Sequence, residues 1–237
     1  MLSQNSNATL ATAEHASKRH AVLEQIAAAC AAAKRSLDSV TLLAVSKKQP
    51  VSAIRAHYQL GQRDFGENYV QEALSKMPEL PNDVVWHHIG PLQSNKTRAV
   101  AEHFAWCHTL CGLKIAQRLS AQRPSDMAPL QVCIQVNLEG EASKSGLDAT
   151  EAIALAQAIQ DLPGLRLRGL MTLPPPQTDP AIQQQQFAKV EKLLQQLPGT
   201  CDTLSMGMSG DLEAAIAAGS TMVRIGTALF GPRPEAA

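Results

Sequence analysis

Short apolar runs alternate with stretches of helical spacing along most of this chain. Thr41-Leu-Leu-Ala-Val-Ser46 is a run of strand length, halted by Lys47-Lys48-Gln49-Pro50, after which helical spacing runs through Ile54 and Leu60. Further strand candidates lie near Arg63–Glu67, Val84–Ile89, Ala105–Leu110, Leu130–Leu138, Leu167–Leu173, Thr203–Met206 and Met222–Ile225, making eight with the first. Helical stretches separate them, around Val70–Lys76, Gln93–Ala101, Leu113–Gln122, Ala149–Ile159, Ile182–Leu197 and Asp211–Ala218. Strands alternating with helices imply parallel βαβ units. Eight such units in about 200 residues favour a closed (β/α)8 TIM barrel, with an open doubly wound sheet as the alternative.

Ahead of this alternation, the first twelve residues are polar and small and are expected to be a flexible N-terminus. Ala13 to Lys34 is Ala-rich, with Leu23, Ile26, Ala27 and Cys30 at helical spacing, and predicts an extra N-terminal helix. No Gly-, Ser- or Pro-rich linker divides residues 13–237, so one domain is expected. The polar segment Asn137–Gly146 has the length of a loop that rims an active-site mouth.

Charge and composition narrow the function. Of 237 residues, 21 are Lys or Arg and 21 are Asp or Glu, a neutral balance that argues against a nucleic-acid scaffold or a polybasic membrane binder. No apolar segment has the length of a secretory signal core or a bilayer span. Five cysteines without framework spacing suggest a reducing compartment, so a soluble cytoplasmic protein is expected. Neutral charge without an apolar surface stripe favours a monomer.

A parallel barrel places its chemistry at the C-terminal rim of the strands. Lys47 stands there after a wholly apolar approach, where desolvation would favour a nucleophilic amine able to form a Schiff base; Lys47 and Lys48 also fit a solvated loop pair. Ser209-Gly210-Asp211 follows the seventh strand and Gly226-Thr227 the eighth, where barrels often bind phosphate, although an N-cap and a tight turn are the structural alternatives. Arg224 lies within the last strand between Val223 and Ile225 and needs an acceptor there. Closure of the barrel would set it beside the first strand, a layout suited to pyridoxal phosphate: aldehyde to Lys47, ring nitrogen to Arg224, phosphate to the last two loops. His103, Cys107, His108 and Cys111 cluster, but their spacing is wrong for zinc, with Cys107 and His108 on opposite faces of one strand.

Several runs, LLAVSKKQP, DFGENYVQEA, WHHIGPLQSNK, NLEGEASKSG, GLMTLPPP and SMGMSGDLEAAIAAGSTMVRIGTALFG, together resemble the pyridoxal phosphate homeostasis protein family over about Leu42 to Gly231. The resemblance implies a barrel like the alanine racemase N-terminal domain that holds pyridoxal 5'-phosphate as an internal aldimine, and that buffers or delivers it to apo-enzymes without established turnover. It carries the Schiff-base role to Lys47, the ring-nitrogen role to Arg224 and the phosphate role to Ser209, Gly226 and Thr227. Asn68 would lie near the ring face, and His87 is a weaker carry-over. Lys48, His88 and Gly210 depart from the family pattern, which usually has a small polar residue, an aromatic and a polar or acidic residue there.

An arginine at the pyridine nitrogen keeps that nitrogen unprotonated and weakens the ring as an electron sink. Ala228 to Ala237 are also too few to form the domain from which a racemase supplies its opposing base. A carrier is therefore expected; the competing readings are an amino-acid enzyme of the racemase fold type and a phosphate-binding barrel using Lys47 for aldol chemistry.

Overall fold

The computed structural model describes residues 2–138, 140 and 145–232, with side chains from residue 13 onward. Eight strands, β1 (Thr41–Val45), β2 (Asp64–Glu67), β3 (Val85–His88), β4 (Trp106–Leu110), β5 (Leu130–Val136), β6 (Leu165–Thr172), β7 (Thr203–Ser205) and β8 (Met222–Ile225), form a closed barrel in sequence order. All pairings are parallel, and β8 returns to β1 with Leu43 opposite Arg224. The barrel expected from the sequence is the one observed.

The helices are α1 (Leu2–Ala32), α2 (Val51–Gln59), α3 (Val70–Lys76), α4 (Thr97–His103), α5 (Leu113–Gln122), α6 (Ala149–Ile159), α7 (Pro180–Leu194), α8 (Leu212–Ala217) and α9 (Thr227–Phe230). Local chemistry sets several of their starts. Pro50 ends the β1 loop and stands at the N-cap position of α2 in an extended conformation, with no side-chain cap bond. Asp148 and Glu151 form a reciprocal capping box on α6. Asp179 accepts the Ala181 amide and Pro180 opens α7, two residues earlier than periodicity predicted. The extra helix α1 packs on α2, α8 and α9, burying Val22, Ile26, Ala29 and Cys30. Of the four positions expected from helical spacing, Ile26 and Cys30 are buried, while Leu23 and Ala27 are only partly buried and Val22 and Ala29 complete the stripe.

Most of the core lies between the barrel and its helices, where Leu42, Ala44, Phe65, Val132, Leu170, Val223 and Ile225 face outward. Alternation along each strand sends the intervening residues into the lumen. Leu43, Ile89 and Met222 pack there with Val45, and Trp106, Cys133 and Met171 form a second lumenal group. His87, His108, Ser205 and Arg224 share that interior. Among the described residues no helix is long and apolar enough to cross a membrane.

Candidate functional site

At the C-terminal rim, the strand ends and following loops enclose a cavity of about 330 Å³. All six residues singled out from the sequence border it: Lys47, Asn68, Ser209, Arg224, Gly226 and Thr227. Strand geometry explains the convergence. Val45 and Lys47 share one parity on the β1 extension, and Asn68 leaves β2 one residue after its last strand position. Arg224 reaches the same space from within β8, while Ser209 and Thr227 come from the loops beyond β7 and β8.

Two glycines keep the walls in place. Gly207 has φ +96°, a left-handed conformation that turns the chain out of β7 toward Ser209; a Cβ there would stand 2.7 Å from that of Ala215. Its carbonyl accepts the Arg224 amide at 2.9 Å. Gly90 lets two loops touch, since a Cβ there would lie 2.2 Å from the carbonyl oxygen of Asn68. Ser209 and Gly210 form a turn ahead of α8, whose N-cap is Asp211 rather than Ser209. Gly226 is the N-cap of the short helix α9, which was not anticipated.

Arg224 is almost fully buried, and its guanidinium finds the acceptors its position demanded. One terminal nitrogen donates to the carbonyl and hydroxyl of Ser205, the latter at 2.9 Å, and the other donates to the carbonyl of Thr172 at 2.9 Å. Burial lowers its pKa to about 10, partly countered by the charge of Asp211, so it is cationic at neutral pH. Asp211 in turn accepts the Met208 amide, holding the loop beside Ser209.

Behind Lys47 lies a compact ionic group on the outer face of β1 and β2. The Ser46 hydroxyl donates to Glu67 at 2.7 Å; Lys76 donates to Glu67 at 2.8 Å, to Glu72 at 2.7 Å and to the Ser46 carbonyl at 3.0 Å. Glu72 also accepts the Lys48 amide. Lys48 has φ +59° and an exposed side chain, and it is not among the residues bordering the cavity. The two lysines thus differ in setting: Lys47 is half-buried at the cavity, Lys48 outside it.

His87 does not border the cavity but lies in the lumen, bonded to Asp64 and His108. Ser205 and His108 were not singled out as site residues; the only signal for them was lumenal parity on β7 and β4. Gln49, Ile89, Met171, Leu173 and Met208 add to the wall and were likewise missed. Within the Asn137–Gly146 loop, Glu139 and residues 141–144 lie outside the described residues. Among the described residues no group of three or more His, Cys, Asp or Glu is arranged to hold a metal ion.

A closed parallel barrel with a lysine, an arginine and two small-residue turns at one rim has the architecture of the alanine racemase N-terminal domain, whose family model matches residues 22–234. Alanine racemase from E. faecalis superposes with a TM-score of 0.66 at 17% identity over 90% of this chain and 58% of its own, a likeness of fold. Much nearer is the pyridoxal phosphate homeostasis protein of Pseudomonas aeruginosa, 57% identical over 90% of this chain and 93% of the relative. Its counterpart in Escherichia coli K12 is 52% identical over 90% and 94%. PipY of Synechococcus elongatus, solved with PLP bound, is 40% identical with a TM-score of 0.74, covering 81% of this chain and 93% of its own. The chain belongs to the alanine racemase N-terminal domain family and, within it, to the pyridoxal phosphate homeostasis proteins.

Proposed function

We propose that this chain binds pyridoxal 5'-phosphate reversibly on Lys47 and holds it for intracellular vitamin B6 homeostasis, buffering the free aldehyde or delivering it to apo-enzymes. The observation that carries the reading is the single cavity shared by Lys47, Arg224 and the two small-residue turns. Its volume lies at the lower end of the roughly 300–1,000 Å³ typical of small-ligand sites. One buried polar atom fits a ligand there: the side-chain oxygen of Asn68 has no hydrogen-bond partner. A half-turn of that amide would present the NH2 group instead, so Asn68 can meet either a donor or an acceptor on the ring substituents. The names of the 57% and 52% identical relatives, and the bound PLP of PipY, support the same ligand.

When bound, the cofactor supplies an aldehyde that condenses with a primary amine. The chain's own residues do the rest. Lys47 offers that amine at the rim, Ser209, Gly226 and Thr227 offer small-residue backbone and hydroxyl donors to an anion, and Asn68 and Ile89 flank the space between. Arg224, a donor without acceptor capacity, holds a ring nitrogen unprotonated. That choice disfavours carbanion chemistry and underlies the reading as a non-catalytic carrier; five cysteines without framework spacing support a cytoplasmic protein, and neutral charge without an apolar surface stripe supports a monomer.

The test is an absorbance spectrum of protein incubated with pyridoxal phosphate, followed by borohydride reduction and peptide mapping. The label is expected on Lys47, lost in Lys47→Ala and retained in Lys48→Ala. An undiminished label in Lys47→Ala overturns the assignment. Amino acids incubated in heavy water should show no α-proton exchange beyond that given by free cofactor; faster exchange makes the protein an enzyme.

A further inference from the structure

The interior of a TIM barrel is ordinarily filled by branched aliphatic side chains. Here a continuous line of polar groups crosses it instead, from the site to the opposite mouth. Arg224 on β8 donates to the Ser205 hydroxyl of β7 at 2.9 Å. Ser205 Oγ lies 2.8 Å from Nδ1 of His108 on β4. Nε2 of His108 lies 2.9 Å from Nδ1 of His87 on β3, and Nε2 of His87 lies 3.0 Å from a carboxylate oxygen of Asp64, at the start of β2. Ser205, His108 and His87 have no exposure at all, while the Asp64 side chain is 30% exposed.

The two ends fix the direction of every bond between them. A guanidinium can only donate and a carboxylate can only accept. Burial lowers the pKa of both histidines, His108 well below its ordinary value, so each ring carries one proton. His87 therefore donates from Nε2 to Asp64 and accepts at Nδ1; His108 donates from Nε2 to His87 and accepts at Nδ1; Ser205 donates to His108 and accepts from Arg224. No other assignment satisfies all four contacts. Every dipole in the line then turns its negative end toward Arg224 and its positive end toward Asp64, which stabilises both charges across a low-dielectric interior.

The same line constrains the guanidinium plane. Three of the five N–H donors of Arg224 go to Ser205 and Thr172, leaving two for the cavity that it borders. We propose that Ser205, His108 and His87 are positioning residues: their one-way hydrogen-bond line, anchored on Asp64, orients Arg224 toward the ring nitrogen of the ligand and couples the site to a carboxylate at the far mouth of the barrel. This rests on the reading of Arg224 as the ring partner.

Four variants, Ser205→Ala, Ser205→Thr, Asp64→Ala and Arg224→Gln, test it by the dissociation constant for pyridoxal phosphate and the absorbance maximum of the borohydride-reducible band. Ser205→Ala and Asp64→Ala are expected to weaken binding about tenfold, the worth of one hydrogen bond to a charged group, and to move the band in the direction in which Arg224→Gln moves it. Ser205→Thr, which keeps the hydroxyl, should retain the native band. A merely structural role would lower the melting temperature and leave band and affinity alone. Native affinity and spectrum in both Asp64→Ala and Ser205→Ala, with Arg224→Gln altered, overturn the positioning line while the ring assignment stands. An unaltered Arg224→Gln overturns that assignment and the line with it. Asp64 lies at the far mouth of the barrel from the cavity, so its variant decides the matter if Ser205→Ala fails to fold.

Discussion

His87 and His88 are consecutive residues of β3, equally inaccessible to solvent, and they meet opposite fates. His87 enters the lumen, where both ring nitrogens have partners and the ring stacks on Trp106 at 5.4 Å and 10°. His88 faces outward, edge-on to Phe104 at 5.7 Å, and neither ring nitrogen makes a hydrogen bond of good geometry, although backbone groups of Gly90 and Pro91 partly offset its burial. The difference teaches that burial alone gives a polar ring no role. The lumenal face converts polar side chains into a directed line ending at the site; the outer face belongs to a packing core into which a polar ring brings chiefly a desolvation cost.

The outer face of the neighbouring strands tolerates charge only by neutralising it on the spot. Glu67 is buried between Ser46 and Lys76, with one carboxylate oxygen unpartnered, and burial raises its pKa against the pull of Lys76. Replacing the lysine by the apolar side chain of similar length, Lys76→Met, strands that carboxylate. The expected loss is about 3–5 kcal/mol of unfolding free energy, read by denaturant titration, and it is the largest effect anticipated on the outer face. A loss below about 1 kcal/mol would mean that the outer face absorbs unpaired charge, erasing its contrast with the lumen.

How much of this was legible in the sequence follows from the same two faces. Strands buried on both sides appear as short continuous apolar runs, so all eight were found, with ends displaced by no more than two residues. Lys47, Asn68, Arg224 and the small-residue turns were legible because they punctuate or follow those runs at a rim where polar residues stand out. The lumenal line was not legible. Its members lie on five strands, and the link between His108 and Ser205 joins residues 97 apart, so only barrel closure brings them together. His87, a weaker carry-over from the resemblance, is set by lumenal parity away from the residues that border the cavity. Helix α9 was missed because four residues are too few to display a period.

Acid acts on both faces, because burial lowers the lumenal His87 and His108 as well as the outward His88. Burial holds His88 at about 4, below its ordinary 6.5. A group whose pKa is depressed on folding stabilises the fold above its unfolded value and loses that contribution as pH falls toward its folded value. His88 thus withdraws about 2 kcal/mol between pH 8 and pH 5, and His57, likewise lowered to about 4 by burial, acts in the same direction. Glu67 acts in the opposite sense, because its raised pKa contributes stability below the unfolded value that is lost as pH rises. Unfolding free energies measured from pH 8 to pH 5 should fall; a flat profile would remove the acid penalty assigned to the outward histidine.

The smallest effect isolates that histidine. His88→Phe removes the two buried ring nitrogens beside Phe104 and leaves the lumenal line intact. Relief of unsatisfied polar atoms favours the variant and the larger ring opposes it, for a net gain of about 1 kcal/mol at pH 7. Packing strain does not titrate, whereas the acid penalty does, so the difference between variant and parent should widen by about 2 kcal/mol on moving from pH 8 to pH 5. A constant difference across that range would show that His88 is not the group losing stability in acid. The cofactor band should be unmoved at every pH, because no bond in the lumenal line passes through this side chain.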